Sequence, residues 1–197
     1  EDITAADLFS SIRNWFYLDM AVYGIYNHQV MSYLRDHDAL PEIKEGDMEI
    51  LASGHPDFLA FNYYSTATVG AFPEGEEVRP DGPVDQQKNG GEPGYYRPFP
   101  NPNLLKTEWG WEIDPIGFRN TLNQVYSRYR LPIIITENGL GAHDKLEEDG
   151  TIRDDYRIEY LQRHIEQMQL AIDDGVQMMG YCPWSAVDLI STHEGFD

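Results

Sequence analysis

Ala5, Leu8, Phe9, Ile12 and Phe16 recur at steps of three and four, which sets them on one side of a helix. The pattern predicts helix over most of residues 4–35. From Leu34 to Ala52 the chain is polar and mixed, with Pro41 and Gly46 as breaks, and Met48, Ile50 and Leu51 suit a short helix before Gly54. The pattern then changes. "DFLAFNYYS", residues 57–65, is apolar and aromatic without alternation, as expected of a strand buried on both faces of a parallel sheet. Residues 70–108 carry Gly, Pro and Asn throughout and read as one long loop, a length usually kept for function. A helix is predicted over 114–129, with Asp114 as its cap and Pro115 in its first turn. "PIIIT", 132–136, is a second buried strand, and 141–152 is a polar loop. Residues 153–175 read as a helix with Tyr156, Tyr160, Ile165, Met168 and Ile172 on its apolar face and Gly175 as its stop. "VQMMGYCPWS", 176–185, is the third strand. Strand, helix, strand, helix, strand is the order of βα units, so the expected class is α/β with a parallel sheet.

In such folds ligands meet the carboxyl ends of the strands. The residues there are Asn62 to Tyr64, Glu137 with Asn138, and Trp184 to Ser191. Asn62 and Tyr64 are two apart and share a face. Taken alone, Asn138-Gly139 reads as a turn and Trp184 as core. Glu137 resists that treatment: a carboxylate ending an apolar strand is costly to desolvate unless it is satisfied or used. A carboxylate, a phenol, an amide and an indole brought together suit a polyol, with the indole against the C–H face of a sugar and the polar groups on its hydroxyls.

Composition narrows the classes. The chain has 197 residues, 41% of them hydrophobic, which is enough for a core of ordinary size. Acidic residues number 34 against 14 basic, for a net charge of -20, and that field repels nucleic acid and anionic membrane alike. No apolar run approaches the roughly 20 residues of a membrane span. The single cysteine, Cys182, suits a reducing, cytoplasmic setting and reads as a small core residue. His143 with Asp144, and His193 with Glu194, lack the spacing of paired ligands, so neither metal nor cofactor is expected. His164 reads as packing or solvated. Both ends look cut: the first residues begin inside a helical pattern, and "STHEGFD" closes no element.

"IIITENGLG" resembles the nucleophile signature of glycoside hydrolase family 1. Upstream, "DFLAFNYYS" is similar to the family's Asn-Tyr-Tyr strand and "GWEIDPIGF" to its Trp-x-Ile-x-Pro-x-Gly segment; downstream, "GYCPWSAVDLIS" is similar to its final strand. "WFYLD" and "GIYN" fit the segment before Asn-Tyr-Tyr. The blocks run in order over nearly the whole chain. The resemblance implies a (β/α)₈ TIM barrel of which residues 1–197 are the C-terminal part, supplying strands 6 to 8, at about 57–64, 132–137 and 178–184, with their helices and long βα loops. The N-terminal part of the same enzyme would then be this chain's partner. The family's acid/base glutamate lies in an Asn-Glu-Pro motif on the fourth strand, and no Asn-Glu-Pro occurs here.

Further implications of the resemblance are mechanistic. Retaining glycosidases use two carboxyl groups about 5–5.5 Å apart. Glu137 would be the nucleophile and Tyr64 its hydrogen-bond partner. Asn62 would contact the sugar, Trp184 would stack under its ring, and Trp111 would line the entrance on the leaving-group side. Plain β-glucosidases of the family carry Glu-Trp where this chain, counted from Trp184 and Asp188, has Ser191 and Thr192. A hydroxyl at Ser191 can donate to a phosphate that a carboxylate would repel, which resembles the 6-phospho-β-glucosidase branch; Thr192 leans towards gluco over galacto substrates. The Lys and Tyr that complete the branch's phosphate pocket would fall beyond Asp197. The expected substrate is a phosphorylated β-glucoside or disaccharide. The alternatives are a non-phosphorylated β-glucosidase or β-galactosidase, and a catalytically silent carbohydrate-binding fragment.

Overall fold

The computed structural model describes residues 1–76, 90–185 and 187. They group into two compact units, one of Glu1–Asp57 with Ala67–Asn101, the other of Phe58–Thr66 with Pro102–Asp197.

In the first unit the predicted long helix is real but interrupted. Helix α1 (Asp2–Ser10) runs through a π-helical turn (Ser11–Trp15) into α2 (Phe16–Tyr23), and α3 (His28–Asp36) starts afresh. Gly24 causes the break: its φ of +66° is left-handed, and a Cβ there would lie 2.5 Å from the Ala52 Cα. Asn27 then caps α3, its side chain accepting from the Gln29 and Val30 amides. A helical period read from apolar residues alone runs through both signals. The short helix expected around Met48 is α4 (Asp47–Ala52).

The segment expected to be loop from 70 to 108 holds strands. β2 (Thr68–Gly70) pairs antiparallel with β3 (Arg97–Phe99) in this unit. Ala5 and Phe9 pack on Tyr96 beside Ile12, Ala67, Val69 and Tyr95, with the Phe9 and Tyr96 rings edge-on at 5.1 Å. Strands this short, rich in Pro and Gly, carry no period for a sequence to reveal.

The second unit holds three parallel strands in the order β1 (Leu59–Tyr63), β6 (Ile133–Asn138) and β7 (Met178–Pro183). A small antiparallel pair, β4 (Leu105–Lys106) with β5 (Glu112–Ile113), lies in the connection after β1. α5 (Pro115–Tyr129) links β1 to β6, and α6 (Asp155–Asp173) links β6 to β7. These are the expected βα units, and the arrangement is consistent with part of a barrel. Asp114 caps α5 by accepting from the Gly117 amide at 2.8 Å, with Pro115 at the first helical position. Phe118, Leu122, Val125 and Tyr129 bury the inner face of α5. Each large apolar side chain so buried contributes about 1.5–3 kcal/mol.

The α6 face agrees with expectation at Tyr160 and differs elsewhere. Tyr160, His164 and Ala171 are its buried residues, while Tyr156, Ile165 and Ile172 keep 37%, 44% and 40% of their surface exposed. Two stripes lie side by side on this helix, and the buried one contains a histidine that apolar periodicity does not count. His164 is packing: it has no exposed surface, and its ring stacks on Tyr160 at 4.0 Å. Cys182 is exposed, not core; strand alternation sets it opposite Tyr181, whose hydroxyl reaches the buried Asn138. Among the described residues no helix is long and apolar enough to cross a membrane, and no group of three His, Cys, Asp or Glu could hold a metal ion.

Candidate active site

The aliphatic run Ile133 to Ile135 makes β6 a buried strand, and a register shift just beyond that run shapes the strand's carboxyl end. Phe61 pairs with Ile135, but Asn62 pairs with Glu137, so β6 holds one residue more than β1 at this point. On the other side Ile135 pairs with Tyr181 and Asn138 with Pro183, again one residue in excess. Thr136 is the extra residue of a bulge. Plain alternation would give Glu137 the parity of Ile133 and Ile135, both fully buried. The bulge returns Asn138, fully buried, to that row and turns Glu137 to the other side.

There Glu137 meets Tyr64. The Tyr64 hydroxyl donates to Glu137 Oε2 at 2.6 Å. Burial first, then this bond, pushes the phenol well above its ordinary pKa, so at neutral pH it is a donor. Asn62 lies on the exposed side of β1, between buried Leu59 and Tyr63, and its Oδ1 accepts from the Thr136 hydroxyl at 2.6 Å. The bulge therefore presents Thr136 and Glu137 together, one to Asn62 and one to Tyr64. Trp111 sets its ring edge-on to Tyr64 at 5.8 Å, and Trp109 stands edge-on to Trp111 at 5.3 Å.

Each residue of Glu-Asn-Gly has its own physical reason. Asn138 is not a turn residue: it ends β6 and is held by its neighbours. Its Nδ2 donates to the Tyr63 carbonyl at 2.7 Å and to the Tyr160 hydroxyl at 3.1 Å, and its Oδ1 accepts from the Tyr181 hydroxyl at 2.7 Å. Gly139 is glycine because the chain passes close: a Cβ there would lie 2.0 Å from the Trp184 carbonyl oxygen. The Trp184 amide donates to the Asn138 carbonyl at 2.8 Å, so β7 delivers Trp184 beside Glu137 in the chain path. Trp184 is not core; it is half exposed.

Glu137, Tyr64, Asn62 and Trp111 are thus brought together, and Trp184 joins them through its backbone. Ser191, expected to face a phosphate, and Thr192, read as leaning towards gluco substrates, lie outside the described residues. Several residues at this site give little sign of themselves in the sequence. Trp109 packs its ring over Gly141, where a Cβ would come within 2.1 Å, and its one signal is the Trp-Gly-Trp spacing. Thr136 and Asn138 depend on register, which one strand cannot reveal.

The chain is similar over its whole length to known proteins. It matches the Glycosyl hydrolase family 1 profile over residues 1–197. It is 44% identical over 201 residues to the aryl-phospho-β-D-glucosidase BglC of Bacillus subtilis (strain 168), a match covering 100% of this chain and 42% of that protein. It is 40% identical over 189 residues to a phospho-cellobiase of Klebsiella oxytoca, covering 94% of this chain and 38% of the relative. Among solved structures, a family 1 β-glucosidase from Thermotoga maritima superposes with a TM-score of 0.80 at 32% identity, covering 98% of this chain and 39% of that one. The chain spans about two fifths of the length of these proteins. With the profile matched from its first residue to its last, the chain belongs to glycosyl hydrolase family 1.

Proposed function

We propose that the full-length protein containing this chain hydrolyses 6-phospho-β-D-glucosides with retention of configuration. In the same reading, residues 1–197 are the C-terminal part of one (β/α)₈ barrel, with β1, β6 and β7 as its strands 6 to 8. The observation that carries the proposal is the 2.6 Å bond from Tyr64 to Glu137 at the carboxyl ends of parallel strands. Glu137 would attack the anomeric carbon, and the Tyr64 phenol would hold its charge and aim. Asn62, its carbonyl engaged by Thr136, would offer amide N–H groups to the sugar. Trp184 would stack under the ring, and Trp111 would wall the leaving-group side. The second carboxyl group would come from the N-terminal part, since Asn-Glu-Pro is absent here. This division makes the chain by itself inactive and leaves its outer strands for that part to pair.

Glu137→Gln in the full-length protein tests the role of the carboxylate. Turnover should fall by at least about 10⁴-fold, which is about 5.4 kcal/mol of barrier, with the fold retained. A variant keeping a tenth of wild-type turnover would overturn the assignment.

Preference for the 6-phosphate rests on the names of the two relatives above and on Ser191 in place of a carboxylate. The Thermotoga structure, named for a β-glucosidase, favours the unphosphorylated reading instead. Ser191→Glu separates the two. Like charges about 4 Å apart repel by roughly 1 kcal/mol in water and more when partly buried. A lost hydrogen bond to a charged oxygen adds about 1.5–3 kcal/mol. The kcat/KM for a phosphorylated aryl glucoside should drop at least about a hundredfold, with little change for the unphosphorylated one. An unchanged ratio of the two constants would leave the plain β-glucosidase reading.

A further inference from the structure

β1 ends at Tyr63, and its pairing with β6 ends at Tyr63 opposite Asn138. The next residue is Tyr64, so the sheet ladder does not hold its carbonyl. The Tyr160 hydroxyl does, donating to the Tyr64 carbonyl at 3.2 Å. Tyr160 has one proton to give. It accepts from Asn138 Nδ2, which leaves that proton for Tyr64. Its ring is fixed by the stack on His164, whose Nδ1–H donates back to the Tyr160 carbonyl at 2.8 Å. His164 keeps this role as a neutral ring, because burial lowers its pKa. Burial also raises the Tyr160 phenol, which stays protonated and so remains a donor.

We propose that Tyr160 is a positioning residue: from the α6 side of the sheet it fixes the Tyr64 backbone, and through it the phenol that bonds Glu137. One hydroxyl thereby ties both ends of the pair, Tyr64 directly and Glu137 through the adjacent Asn138. The inference rests on Glu137 and Tyr64 forming the reacting pair. Tyr160 touches no substrate.

Tyr160→Phe in the full-length protein removes the hydroxyl and keeps the ring on His164. The kcat should fall about tenfold with KM little changed. In a Tyr64→Phe background the same change should have no further effect on kcat, as expected of residues acting through one another. Tyr181→Phe is the control, since it takes one phenol from Asn138 without touching Tyr64; its kcat should stay within about twofold of wild type. Effects that multiply in the double variant, or a kcat that falls equally in Tyr181→Phe, would overturn the proposal. Glu137→Gln assayed alongside keeps the two failures apart. Retained activity there would sink the reacting pair itself, whereas an inactive Glu137→Gln with multiplying effects would sink only the role of Tyr160.

Discussion

The same chemical pair occurs in both units. In the second, Tyr64 donates to Glu137 at 2.6 Å; in the first, Tyr33 of α3 donates to Glu92 at 2.5 Å. Both phenols are raised in pKa, by burial before anything else. Neither distance nor titration separates them; surroundings do. The other oxygen of Glu92 is met by His37 Nε2 at 2.7 Å, and the Tyr33 ring is boxed by His37 at 4.3 Å and Tyr95 at 5.1 Å. Glu92 also bridges through its backbone to Tyr96, which belongs to the core of that unit. That carboxylate closes a structural clamp with an imidazole on one side and a phenol on the other. Glu137 instead sits on a bulge at the ends of parallel strands, with the Trp111 and Trp109 rings rising beside its phenol partner. A perturbed phenol–carboxylate pair marks a candidate; the element that presents it decides what it is for.

The largest expected contrast comes from the same substitution in each pair. Tyr64→Phe in the full-length protein should lower kcat/KM about 10²-fold, about 2.7 kcal/mol, by taking a preset donor from the reacting carboxylate. Tyr33→Phe should leave kcat/KM within about twofold and cost roughly 1 kcal/mol of stability. The measurements are steady-state kinetics and denaturant unfolding of both variants. Equal kinetic losses would erase the distinction between clamp and site.

The unequal visibility of the two pairs in the sequence comes from how each is built. Glu137 interrupts the pattern around it, a charge at the end of an aliphatic run, and Asn62 with Tyr64 share a face by simple alternation. The cap and first turn of α5 are local signals as well, in Asp114 and Pro115. Glu92 lies among glycines and prolines, 59 residues from Tyr33, with no period to connect them. The bulge at Thr136 is hidden for a related reason: it is a property of two strand pairings, and the aliphatic run reads the same with or without it. Asn138 looks like a turn because Asn-Gly commonly is one; the three partners that hold it in the strand come from β1, α6 and β7. On the inner face of α6 apolar periodicity finds Tyr160 but misses His164, because a buried, hydrogen-bonded histidine is scored as polar.

The smallest effect concerns His37, and it sharpens what the clamp is. His37 Nδ1–H donates to the Tyr33 carbonyl at 2.7 Å, and this bond is the first cause of a pKa raised above 6.5. Desolvation opposes it, while the charge of Glu92, its bond to Nε2 and the charge of Asp36 add to it. A pKa higher in the folded than in the unfolded chain means that the protonated ring stabilises the fold. That contribution is fully present below the unfolded value and is lost as pH rises through the folded one. The His37 side chain is exposed enough for salt to weaken it further. Melting temperatures of the full-length protein and of His37→Gln, compared from about pH 5.5 to about pH 8.5, should differ most at the acid end and converge as pH rises through the folded value. A gap that stays constant across the range would mean that His37 serves as a neutral hydrogen-bonding ring, and the clamp would then rest on Tyr33 alone, leaving it chemically closer to the Tyr64–Glu137 pair.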